Sequence, residues 1–138
     1  MITLLTGKKG SGKTKKLIEL VHEAVAVSKG NVVCIEKGDT LTYDVDHSAR
    51  LVNIEGYGIV GFDGLYGFLS GLCAGNYDIT DILVDSTLKI GGKDLGELAD
   101  FLGKVKTLTD EANVKITFSI SADSAEFPEG IFSLAAVK

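Results

Sequence analysis

Apolar residues in this chain gather into short runs set off by glycines and polar turns, and the runs alternate with longer segments of helical spacing. Ile2–Thr6, Val32–Glu36, Leu51–Ile54, Ile82–Asp85 and Val114–Ser119 have the length and β-branched content of strands buried on both faces. Between them, Lys13–Ser28 carries Leu17, Ile18, Leu20, Val21, Ala24 and Val25 on one broad helical face. Asp94–Ala112 does the same with Leu95, Leu98, Leu102, Val105 and Leu108, and a third helix is predicted over Gly64–Ala74. Asp94-Leu95-Gly96-Glu97 has capping-box spacing, and Asn113 marks where that helix stops. Lys29-Gly30 reads as a basic last turn followed by a left-handed cap. Strand and helix in alternation imply a parallel sheet covered on both faces, joined by right-handed crossovers. The expected fold is therefore α/β: a single domain over residues 1–138, a three-layer α/β/α sandwich on a mostly parallel five-stranded sheet.

Two stretches fall outside that repeat. Asp39–Ala49 alternates Leu41, Tyr43 and Val45 with Thr42, Asp44 and Asp46, so with Arg50–Ile54 it predicts an antiparallel β-hairpin inserted at 39–54. Gly56–Gly75 holds seven glycines, of which Gly67, Gly71 and Gly75 recur at i+4 along a helix. That smooth stripe either packs tightly on the sheet or serves a subunit or partner interface.

The first strand runs into Gly7-Lys8-Lys9-Gly10-Ser11-Gly12-Lys13-Thr14, and the first helix follows at once. Chance alone yields the bare G-x-x-x-x-G-K-T pattern in about 3 % of chains of this composition. The strand before it and the helix after it are the context that the chemistry requires. Glycines let the backbone curl around a polyphosphate with its N–H groups pointing inward, and the helix N-terminus adds unpaired donors and a positive dipole end. Lys13 would reach the β- and γ-phosphates, and the Thr14 hydroxyl would take a Mg²⁺ position. A second acidic signature fits Ile82-Leu83-Val84-Asp85, with Asp85 on the metal directly or through water. As a bare pattern it reads equally well as a strand-end turn cap.

On these two stretches, Ile2–Thr14 and Ile82–Ser86, the chain resembles the P-loop NTPase superfamily (Walker A and Walker B) and, within it, the recombinase-like (RecA-like) ATPases. The resemblance implies a P-loop NTPase fold, ATP and Mg²⁺ as cofactors, and a site built from Gly7, Lys8, Lys9, Gly10, Ser11, Gly12, Lys13, Thr14 and Asp85. It also implies a glutamate base at the end of the strand after the first helix, which matches Glu36. A polar sensor ending the strand after Asp85's strand maps to Ser119 or Ser121. Ser86 stands where many hydrolytic members carry glutamate. No N-K-x-D element for guanine is present, so adenine nucleotides are expected. Arg50, the one arginine, is either a finger acting on a neighbour's nucleotide or a surface residue. His22 and His47 are not expected in catalysis, and Asp44-Val45-Asp46-His47 reads equally well as turn chemistry and as a sparse metal cluster.

Composition narrows the partners. A net charge of −5 argues against general nucleic-acid binding, while Lys8, Lys9, Lys13, Lys15 and Lys16 concentrate positive charge on the glycine loop. Cys34 and Cys73, each inside an apolar run, are expected as buried reduced thiols. No apolar run reaches the roughly 18 residues of a membrane span, and no leader signature opens the chain, so a cytoplasmic protein is expected. The expected function is a Mg-dependent ATPase or ATP-driven switch acting on a protein partner or on further copies of itself. The alternatives are a small-molecule kinase and a regulatory or structural protein with a vestigial site.

Overall fold

The computed structural model describes residues 1–39, 41 and 44–138. The five apolar runs form β1 (Ile2–Thr6), β2 (Asn31–Glu36), β3 (Arg50–Asn53), β4 (Ile79–Val84) and β5 (Lys115–Ile120). A sixth strand, β6 (Ala136–Val137), comes from the apolar tail after the Glu126–Gly130 turn, a stretch whose sequence reads either as packing on the domain or as pairing at a sheet edge. All pairings are parallel, in the order β3-β2-β4-β5-β1-β6. The sheet therefore has six strands among the described residues, not five. β6 is too short to show a period; the Lys138 N–H donates to the Leu4 carbonyl at 2.8 Å and the Thr6 N–H to the Lys138 carbonyl at 2.9 Å.

Among the described residues five α-helices cover the sheet: α1 (Lys13–Val27), α2 (Gly61–Gly75), α3 (Thr87–Gly91), α4 (Leu95–Ala112) and α5 (Ile131–Leu134). The strand period of two sorts the side chains into two cores. Leu5, Val32, Cys34 and Leu83 pack with Leu17 and Val21 of α1. Leu4, Val33, Ile35, Ile82, Val84, Ile116 and Phe118 pack on the other face with Leu65 and Leu69 of α2 and Leu98, Leu102 and Val105 of α4. Phe101 sits at the centre of this larger core, its ring 5.1 Å from Phe62 and edge-on to Phe118 at 5.5 Å. Helices on both faces of a parallel sheet fit a three-layer α/β/α architecture.

Asp94 caps α4 as its spacing predicts, accepting from the Gly96 and Glu97 N–H groups at 2.9 and 3.1 Å, and Asn113 ends the helix at φ 55°. Gly30 serves a different purpose from the one predicted. α1 ends with an extended Ser28, and Gly30 does not take the left-handed conformation. A Cβ at Gly30 would overlap the Asp78 carbonyl oxygen, so close backbone approach is its reason.

The hairpin expected over 39–54 is not what forms. Arg50–Asn53 pairs parallel with β2, and residues 44–49 are turns. Thr40, Thr42 and Tyr43 lie outside the described residues. Leu41, Val45 and Ala49 are all buried against α1, spaced four apart by turns closed through Val45 N–H to Leu41 O and Ala49 N–H to Asp46 O. Gly67, Gly71 and Gly75 are exposed, and an added Cβ at any of them would meet nothing within 4 Å. Tight packing on the sheet is thus not their reason; α2 turns Phe62, Leu65, Leu69 and Cys73 inward instead. The close approach on this face is at Gly91, where a Cβ would overlap the Phe62 ring and α3 lies hard against α2.

Candidate functional site

The carboxyl ends of β1, β4 and β5 meet at one edge of the sheet, where parallel α/β folds place their ligands. The neighbouring strands β1 and β5 leave this edge toward opposite faces. β1 leads into α1, while β5 leads through a 3-10 turn (Ser124–Glu126) to Phe127 and Ile131 in the α4-side core. Such a divergence opens a crevice between them.

The Gly7–Thr14 loop fills one wall of that crevice. Gly7, Gly10 and Gly12 take φ of 144°, 85° and 90°, a region that side chains rarely adopt, so glycine is required at all three. The Gly7 N–H donates to the Ala122 carbonyl at 3.1 Å, and the Ser11 N–H to the Lys8 carbonyl at 3.1 Å. These bonds fix the loop at its base and tip. α1 starts directly behind it with no side-chain cap and no acidic residue in its first turn. Its leading N–H groups are thus left for an acceptor carried by a ligand or solvent. Lys13 lies back across the loop, its Nζ donating to the Lys8 carbonyl at 2.9 Å. Partial desolvation holds its ammonium below the ordinary lysine value, with the negative charge of Asp85 pulling the other way.

Asp85, just past β4, is only 7 % exposed. A carboxylate in such a position needs donors, and three hydroxyls supply them. Oδ1 accepts from Thr14 Oγ1 at 3.3 Å and Ser119 Oγ at 3.2 Å; Oδ2 accepts from Ser86 Oγ at 3.2 Å. The Ser86 N–H in turn donates to Ser119 Oγ at 2.8 Å. Ser86 adopts φ 50°, a left-handed conformation uncommon outside glycine, and this turn aims α3 back along the cleft. The loop, the β4 end and the β5 end are therefore joined through one oxygen cluster centred on the buried Asp85.

The other predicted residues are placed as follows. Ser119 is buried in the Asp85 cluster, whereas Ser121 is exposed and lines the cleft. Glu36, 2 % exposed at the end of β2, accepts from the Leu41 N–H at 3.3 Å through Oε1 and 3.2 Å through Oε2, and it is not among the cleft-lining residues. Arg50 opens β3, the outermost strand, exposed and away from the cleft. Asp46 makes a turn contact, accepting from the Ser48 N–H at 2.8 Å, and the His22 ring donates from Nε2 to the Asp44 carbonyl at 3.1 Å. Among the described residues no three His, Cys, Asp or Glu side chains group as a metal site.

The cleft measures about 870 Å³ and is walled by Gly10, Gly12, Lys13 and Thr14 on one side and by Ser86, Leu88 and Lys89 on the other. Lys93, Leu95 and Glu126 also line it, and sequence reasoning missed these three together with Leu88 and Lys89 as site residues. The signal was there for Lys89: Thr87-Leu88-Lys89-Ile90 follows the Asp85 strand directly and buries Thr87 and Ile90, one helical turn's spacing.

Both cysteines are free and buried, as expected. Burial pushes the Cys34 thiol from 9.0 up to about 12, with the charges of Asp85 and then Glu36 adding to it. The folded state thus favours the neutral thiol, and its contribution to stability is present below pH 9 and is lost as pH rises toward 12. Between pH 9 and 11 the urea midpoint of the wild type should fall more steeply than that of Cys34→Ala; parallel slopes would contradict this. Neither protein-family models nor curated proteins gave a match to this chain.

Proposed function

We propose that this chain is a P-loop nucleotide-binding protein of the RecA-like kind, a Mg-dependent ATPase or ATP-driven switch that works on a macromolecular partner. The observation that carries the reading is the meeting of Thr14 Oγ1 and Asp85 Oδ1 at 3.3 Å, from positions 71 residues apart, at the foot of the glycine loop. Two hard oxygens converging beside a phosphate cradle suit Mg²⁺, which takes one or two protein oxygens and completes its shell with phosphate and water. Bound there, the ion would neutralise charge on the β- and γ-phosphates. The backbone N–H groups of residues 7–14 and the start of α1 would hold the polyphosphate, Lys13 would swing from the Lys8 carbonyl onto it, and Ser119 would keep Asp85 oriented. In this reading Glu36 serves as base only after giving up the contacts that hold it, the Leu41 N–H among them, and Arg50 on the outer strand is open to a neighbouring copy. The cytoplasm is a compartment that supplies Mg·ATP and suits the reading, and among the described residues no helix is long and apolar enough to cross a membrane.

A second reading, a small-molecule kinase, is favoured by one observation: the cleft extends past the loop to Lys89, Lys93 and Glu126, leaving space for an acceptor. Calorimetric titration with Mg·ATP, with ATP in EDTA and with Mg·GTP tests the common core of both. Micromolar binding of Mg·ATP, weaker without the metal and weaker for GTP, is expected. Absence of binding by every triphosphate would overturn it.

A further inference from the structure

The glycine loop has a complete set of groups for one polyphosphate: its own N–H groups, the α1 terminus and Lys13. Lys89 and Lys93 are surplus to that set. Lys89 comes from the last turn of α3 and Lys93 from the turn before α4, and both line the cleft opposite the loop. The ion pairs among the described residues are Lys104–Asp63 and Lys106–Asp110, so neither cleft lysine has a carboxylate held against it. Four lysines line the cleft, Lys9, Lys13, Lys89 and Lys93, against the one carboxylate of Glu126, a surplus of positive charge that suits a second anion. The wall carrying Lys89 and Lys93 is fixed: Thr87 and Ile90 are buried beneath it, and Gly91 is pressed on Phe62. Beside the lysines, Leu88 and Leu95 are half-buried and offer apolar surface, while the Glu126 carboxylate can accept from a hydroxyl. At about 870 Å³ the cleft is near the upper end of the roughly 300–1,000 Å³ typical of small-molecule sites. Lysine acts on phosphate as a point charge and lacks the planar fork that arginine offers to carboxylates.

We infer that Lys89 and Lys93 form a second anion subsite, which holds the phosphate group of a small hydroxyl-bearing ligand while the loop holds the nucleotide. This rests on the nucleotide binding common to both proposed readings and, by naming a small-molecule substrate class, deepens the second of them. The test is ¹⁵N-resolved titration of inorganic phosphate, and separately of ribose 5-phosphate, into protein saturated with a non-hydrolysable Mg·ATP analogue. Saturable shifts at residues 86–95 are expected, with ribose 5-phosphate the tighter probe. In Lys89→Gln/Lys93→Gln that affinity should fall at least tenfold while Mg·ATP affinity stays within twofold. Both lysines are exposed, so the variant should fold as the wild type does. No saturable shift at 86–95 with the loop filled would overturn the inference, as would a variant that loses Mg·ATP affinity instead, which would give the lysines to the nucleotide. Failure of the nucleotide reading shows separately, as absence of Mg·ATP binding. Phosphate is then titrated into the unliganded protein, where lysine-dependent shifts at 86–95 uphold the subsite and shifts confined to 7–14 overturn it.

Discussion

Lys13→Ala should lower the affinity for Mg·ATP by at least about a hundredfold while leaving the fold intact. Charge-assisted hydrogen bonds contribute about 1.5–3 kcal/mol each, so losing two from one ammonium removes more than the roughly 2.7 kcal/mol that a hundredfold represents. In the structure the ammonium satisfies only the Lys8 carbonyl, an exposed group that water can take over, so little stability is at stake. Lys13 also sits partly desolvated, its protonation opposed by burial and supported by Asp85. A group held this way gains more from an arriving phosphate than a fully solvated lysine does. Lys8 and Lys9 provide the contrast. They are exposed, and the loop's geometry draws on their backbone, so Lys8→Ala and Lys9→Ala should cost less than about fivefold, with the loss screened by salt. Calorimetry on the three variants checks the order. Undiminished binding by Lys13→Ala, or equal losses at all three lysines, would remove the loop from the nucleotide site.

The same loop shows how much of this molecule is written in local sequence. Its glycines, the strand before it and the helix after it are contiguous, so chain order alone places them, and each of the motif's three glycines takes a positive φ. Asp85 was legible for a related reason: it follows an apolar run, and parallel strands bring such ends to one edge, where Ser119 and Ser121 both remained open as its neighbour and Ser119 is the one that meets it. Misreadings arose where period and tertiary context disagree. Leu41, Tyr43 and Val45 alternate like a strand, yet Leu41, Val45 and Ala49 are the residues buried on α1, through turns that no strand period describes. β6 and α3 are too short to carry a period at all; β6 exists because β1 offers it an open edge, and α3 because a left-handed Ser86 redirects the chain after Asp85. Gly30 and Gly91 are glycines because another element lies against them, the Asp78 carbonyl and the Phe62 ring, and such distant neighbours leave no trace in the flanking residues. Missing α3 also hid Lys89 and Lys93, so the loop side of the cleft was legible and its opposite wall was not.

Asp85→Asn should abolish the gain in ATP affinity that Mg²⁺ confers, and reduce any turnover by about a hundredfold or more, yet leave the nucleotide-free protein as stable as the wild type or more so. The two halves have one origin. Asp85 is a nearly buried carboxylate whose hydrogen-bond partners are the neutral hydroxyls of Thr14, Ser86 and Ser119, with the Lys13 ammonium acting on it only through space. Three neutral donors offset only part of the cost of taking a charge out of water. A neutral amide of the same shape removes that cost and keeps at least one acceptor for the hydroxyls. A cation between Asp85 and Thr14 would reverse the balance, because it draws its stabilisation from the charge that the amide lacks; metal stabilisation of developing phosphate charge amounts to several kcal/mol. Thermal melts with and without Mg·ATP separate the contributions. In the wild type the ligand should raise the midpoint, and in Asp85→Asn the apo midpoint should be unchanged or higher with most of the Mg-dependent rise gone. Were Asp85 a turn cap alone, the amide would weaken the cluster, lower the apo midpoint and leave the Mg²⁺ dependence as it was. Opposite signs in one melt therefore distinguish a carboxylate kept for a metal from one kept for the fold.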